Sequence, residues 1–168
     1  MKKTKAEQRI EIAKDVLKHI KANKIIAKTR TYFKPKVRGK HAGKQLKEIL
    51  PKIRECKVCA LGSIFYSYIN RYNNFVIPEL GISEVEDMDI EMRELMSMFP
   101  ESQLHLIETA FESKKFCSRR EMKIYSCETI DKAIDYRYRN NINWIYGDEK
   151  ALIHIMKNII KNGGNFKP

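Results

Sequence analysis

The sequence predicts a mainly α-helical bundle in a single domain, with a short β element near residues 25–33. Three observations predict it. Apolar residues recur at spacings of three and four along much of the chain, the repeat of one helix face. The segment Val58 to Asn70 is apolar nearly all round, as a helix at the middle of a bundle has to be. The 168 residues, 43% of them hydrophobic, suit one core rather than two.

Taken in order, the first helix runs from Thr4 to Ala22, with Ile10, Ala13, Val16, Leu17 and Ile20 on one face. Thr4 is placed to cap it, and Glu7 completes a capping box three residues on. Asn23 is the expected stop. Ile25 to Phe33 is rich in β-branched and aromatic residues and reads as a short strand. Lys34 to Lys44 carries Pro35, Gly39 and Gly43 among its cations and reads as a mobile basic loop. Helical spacing resumes at Leu46, Ile49 and Leu50 until Pro51, which lacks an N–H donor and forces a break or a fresh start.

Val58 to Asn70 is the expected central helix, with Gly62 and Ser63 letting a neighbouring helix approach closely. Arg71 to Ser83 reads as a connecting loop. Helices are then expected from Asp87 to Met98, through Ile90, Leu95 and Met98, and from Glu101 to Glu112, burying Leu104, Ile107 and Phe111. Lys114 to Tyr125 is irregular. Thr129 to Arg139 places Ile130, Ala133, Ile134 and Tyr138 on one face. The last helix begins at Asp148, buries Leu152, Ile153, Met156, Ile159 and Ile160, and stops at Gly163 in a left-handed conformation.

Charge divides the chain more sharply than hydropathy does. Residues 1–60 hold 19 Lys and Arg against 5 Asp and Glu, a net of +14. Residues 61–168 hold 14 against 16, a near-neutral helical body. A basic third on a neutral body points to a polyanionic partner, either nucleic acid or a nucleotide. Within it, Lys28, Arg30, Lys34, Lys36, Arg38, Lys40 and Lys44 fall close together, with Tyr32 and Phe33 among them. Cations neutralise phosphates and aromatic rings stack on bases, so Lys28, Arg30, Tyr32, Lys34, Lys36, Arg38, Lys40 and Lys44 are the candidate anion-binding residues.

Other chemistries fare worse. Cys56-Lys-Val-Cys59 is half a zinc site and needs a second compact ligand pair. Cys117 and Cys127 are ten residues apart, and His19, His41, His105 and His154 form no finger-type pair. Thioredoxin-like chemistry needs a βαβ setting that the pattern lacks. Packing beneath the central helix is the expected role of both thiols. Ser63 lacks the second glycine of a nucleophile elbow. Glycine-rich phosphate loops are absent from the sequence. The reading therefore assigns no catalytic residue, no metal ligand and no cofactor. The longest apolar stretch, Val58 to Ile69, falls short of the ~20 residues a bilayer span needs, so no membrane partner is expected. Charges at Arg9, Glu11, Lys14 and Asp15 follow the basic start at once, unlike a secretory signal.

Three segments taken together resemble a family of small, uncharacterised tailed-phage and prophage proteins. They are Arg9–Leu17, the Cys56-Lys-Val-Cys-Ala-Leu-Gly-Ser63 segment, and the end Ile155-Met-Lys-Asn-Ile-Ile-Lys-Asn-Gly-Gly-Asn-Phe-Lys-Pro168, supported by Gln103–Glu112. The resemblance implies an accessory protein of a bacterial cytoplasm and carries no activity with it. It also opens the second functional expectation, a protein–protein inhibitor or adaptor directed at a host defence factor.

Overall fold

A computed structural model describes residues 3–39, 41–79, 93–112, 127–140 and 147–168. It is mainly helical with a small three-stranded sheet. Helix α1 (Lys5–Lys21) starts at the capping box read from the sequence: the Thr4 hydroxyl accepts from the Glu7 N–H, and the Glu7 carboxylate accepts from the Thr4 N–H. It ends in a Schellman motif. Asn23 takes the left-handed conformation (φ 54°), its N–H donating to Ile20 and that of Lys24 to His19.

Strands β1 (Ile25–Ala27), β2 (Lys34–Pro35) and β3 (Cys56–Val58) form the sheet in the order β1-β3-β2. β1 runs parallel to β3, and β2 antiparallel to it. The expected strand over 25–33 thus stops at Ala27, and the loop expected from Lys34 contains a strand at its start. The third strand falls where the sequence had suggested only the approach to a helix. Isolated two- or three-residue strands have no recognisable period, so only their pairing defines them.

Between β2 and β3 lie a short helix α2 (Leu46–Ile49) and a 3₁₀ turn (Leu50–Lys52) that accommodates Pro51 near its start. Lys44–Leu46 and Phe75–Ile77 exchange backbone hydrogen bonds around the Gln45–Val76 bridge. Helix α3 (Ala60–Tyr72) follows β3 with one intervening residue, and all residues from Ala60 to Ile69 are buried. It is the central helix, beginning two residues later than expected because Cys56–Val58 is spent on the sheet.

Helices α4 (Glu101–Glu112), α5 (Cys127–Arg139) and α6 (Gly147–Lys161) lie in the second half of the chain. α1 packs on α3 and α6, α4 packs on α3, α5 and α6, and the sheet lies against α1, α3 and α6. One continuous cluster of buried residues, from Ile12 to Phe166, joins them. On α4, Leu104, Ile107 and Phe111 are buried as expected. On α5 the buried tyrosine is Tyr136 (6% exposed), whereas Tyr138 is 51% exposed. The face turns through Ile130, Ala133 and Tyr136, and the Tyr136 hydroxyl donates to the His154 carbonyl of α6. α6 ends as α1 does, with Gly163 left-handed (φ 64°) and the Gly164 N–H donating to Ile159. The expected helix over Asp87–Met98 is described from residue 93 onward; Leu95 and Met98 are buried, and Ile90 lies outside the described residues, as does Lys114–Tyr125.

Candidate anion-binding surface

Sheet register decides where the cations go. Ile25, Cys56 and Pro35 stand in one row and face the core, and Ile26, Lys57 and Lys34 stand in the next and face outward. Lys34 and Lys57 are therefore direct cross-strand neighbours. Like charges so placed repel each other. The ladder continues past β2: the Lys36 N–H donates to the Glu55 carbonyl (2.8 Å), and the Lys36 carbonyl accepts from Arg54 (3.5 Å). This pairing brings residues 36–38 beside residues 52–54.

The two segments enclose a cleft of about 280 Å³ lined, among the described residues, by Lys36, Val37, Arg38, Lys52 and Arg54. Four cations share it. Lys36 has a counter-ion, Glu55, at 3.7 Å in a largely exposed pair. Arg38, Lys52 and Arg54 have no carboxylate partner among the described residues. The turn carrying Arg38 is braced by His41, whose Nε2 lies 2.9 Å from the Arg38 carbonyl and donates to it. Gly39 supplies the turn's positive φ of 100°.

The rest of the predicted tract is distributed differently. Arg30, Tyr32 and Lys34 line a smaller recess of about 160 Å³ with Thr31 and Phe33. Arg30 is left-handed (φ 56°), a strained conformation for a side chain with a Cβ, and its N–H is held by both carboxylate oxygens of Glu112 at 3.0 and 3.1 Å. One turn earlier on α4, Glu108, only 5% exposed, accepts from the Tyr32 hydroxyl at 2.9 Å. Burial and the Glu108 charge push the Tyr32 phenol well above its ordinary range. Phe33 is fully buried, edge-on to Phe65 at 5.7 Å. Phe33 thus serves the protein's own packing, and the hydroxyl of the half-buried Tyr32 is engaged by Glu108. Lys28 is exposed just beyond β1, and Lys44 lies on the separate ladder with Phe75–Ile77. Lys40 lies outside the described residues.

Lys52, Arg54 and Lys57 are functional candidates that the sequence reading left out. A signal for Lys52 and Arg54 exists. Lys52-Ile53-Arg54 alternates cation and apolar residue, as does Lys34-Pro35-Lys36-Val37-Arg38. Period two places the cations of each run on one side, and Ile53 is buried as that pattern requires.

Both thiols of the cysteine pair are buried. Cys56 is buried within β3, and Cys59 is the buried N-cap of α3, its Sγ accepting from the Gly62 N–H at 3.5 Å. Ser63 donates to the Ala60 carbonyl at 2.7 Å inside the helix. Among the described residues no three His, Cys, Asp or Glu side chains converge on a common point, and no helix is long and apolar enough to cross a membrane.

The chain matches no protein-family model, no curated protein and no solved structure. The functional reading therefore rests on this geometry.

Proposed function

We propose that the chain is a non-enzymatic binding protein whose basic N-terminal third holds a phosphate-rich anion, with the cleft between residues 36–38 and 52–54 as its centre. The observation that carries this reading is the convergence of Lys36, Arg38, Lys52 and Arg54 on one cleft, where among the described residues only Lys36 is paired with a carboxylate, that of Glu55. Folding brings these like charges together at an electrostatic cost, and a bound polyanion removes it. Arginine adds a planar fork that matches phosphate oxygens in pairs.

Binding of inorganic tripolyphosphate, followed by calorimetry at low salt, tests the reading. The double substitution Arg38→Gln/Arg54→Gln is expected to weaken binding at least ~10-fold, the equivalent of about 1.4 kcal/mol. Lys14→Gln/Lys18→Gln removes the same net charge from exposed positions on α1 and serves as the control. Equal losses in the two variants would reduce the cleft to a contributor of bulk charge and end the proposal.

Glu55 gives a second test with the opposite sign. Glu55→Gln removes the anion that competes for Lys36, and affinity is expected to rise about 2- to 5-fold, the range of an exposed ion pair. An unchanged or weaker affinity would place Lys36 outside the contact.

A further inference from the structure

We infer that the anion is the phosphate backbone of a nucleic-acid duplex, held through its charge and without stacking or reading of its bases; this rests on the anion-binding reading above.

The cations are strung along two paired segments, from the sheet into the cleft. Lys34 and Lys57 stand opposite each other on the outer face of the sheet. Lys36 is two residues further along the same strand, with Arg38, Arg54 and Lys52 beyond it. From Lys34 to Arg38 an extended chain covers roughly 13 Å at ~3.3 Å per residue. Over that length a duplex presents about eight phosphate charges, one per ~1.7 Å of axis. A single nucleotide offers one short cluster of charge and would leave part of this line unoccupied.

Among the described residues the cleft itself also lacks the aromatic ring a free base stacks on. Binding of single strands and of mononucleotides gains much of its strength from aromatic rings that stack on the base. Here Tyr32 is committed to Glu108 and Phe33 to Phe65 and Tyr66. Val37 is the cleft's one uncharged lining residue among those described. No Asn or Gln, the side chains that pair with adenine edges, lines it there. Without stacking, charge density favours the duplex over its single strands.

The test is fluorescence anisotropy with a labelled 20-base-pair DNA duplex, one of its strands alone, and ATP as competitor, each at several salt concentrations. Expected are duplex binding at least ~10-fold tighter than single-strand binding, little change when the duplex sequence is scrambled, and no displacement by ATP at concentrations near that of the protein. The Lys34→Gln/Lys57→Gln variant, checked for folding by circular dichroism, is expected to flatten the slope of log affinity against log salt by about 0.9 per lost contact. A tighter single strand, or efficient displacement by ATP, would overturn the duplex assignment while leaving the cleft an anion site. A protein that binds neither nucleic acid nor tripolyphosphate would overturn both.

Discussion

Replacing Gly62 with alanine is expected to destabilise the protein by about 3 kcal/mol or more, lowering its thermal midpoint by roughly 6–12 °C. A Cβ at this position would stand 1.5 Å from the Tyr32 carbonyl oxygen and 2.5 Å from its carbonyl carbon. Those are backbone atoms of a segment held from several directions. The Cys59 N–H donates to the Thr31 carbonyl, the Tyr32 hydroxyl donates to Glu108, Arg30 is gripped by Glu112, and Phe33 is sunk beside Phe65. The segment cannot withdraw without breaking these contacts. Alanine gains about 1 kcal/mol over glycine in helix propensity, which is too little to offset the collision. Because the displaced segment leads directly into β2, the variant should also bind tripolyphosphate more weakly at a temperature where it is still folded. Thermal unfolding by circular dichroism decides the matter. A midpoint within 2 °C of the parent would show that the approach of residues 31–32 to α3 is not as close as described.

Gly62 also illustrates which parts of the molecule were legible in its sequence. The sequence indicated that something must approach the central helix there, and the direction of that inference was right. The neighbour is a loop from 30 residues upstream instead of a helix, because a glycine announces close approach without naming what approaches. Helices came through well where local chemistry defines their ends: Thr4 with Glu7, Asn23, Pro51 and Gly163 all sit where capping and backbone rules put them. The sheet came through poorly. Its strands have two or three residues, and their existence depends on pairing across 21 to 31 positions of chain. The candidate site inherits that weakness. Lys34, Lys36 and Arg38 were visible as a run of charge, but Lys52, Arg54 and Lys57 join them through β2–β3 pairing, a non-local event. The aromatic residues depend on distant parts of the chain too. Tyr32 and Phe33 looked available because they lie among lysines, and the carboxylates that engage this segment belong to α4, some 80 residues away.

A buried carboxylate on α1 gives the second large effect. Asp15 lies on the apolar side of its helix and is 5% exposed, a position the hydrophobic repeat alone would assign to an aliphatic residue. It is retained there by its partners: His19 Nε2 at 3.1 Å, Arg71 Nε at 3.2 Å and the Asn70 amide at 3.4 Å. Glu11 adds to the same cluster through Lys3, Arg71 and the Tyr72 hydroxyl. These contacts tie α1 to the end of α3, two of the three helices against which the sheet rests. Asp15→Ala is expected to cost about 2–4 kcal/mol, because the His19 ring and the Arg71 guanidinium lose their anion. The figure is below the upper range for buried pairs since Arg71 is about one-third exposed and regains water. The effect should depend on pH with a definite sign. Burial raises the Asp15 pKa, but His19, Asn70 and Arg71 together outweigh it and hold the carboxyl below the ordinary aspartate range. A carboxyl so depressed stabilises the fold fully above its unfolded pKa of about 3.9, and that contribution is lost as the pH falls through the folded value. Asp15→Asn, which keeps the shape and removes the charge, should therefore differ most from the parent at pH 5 and above. The two urea-denaturation midpoints should draw together as the solution is acidified below pH 4. Midpoints that stay equally far apart down to pH 2 would mean that Asp15 acts through packing and hydrogen-bond geometry, with its charge contributing nothing.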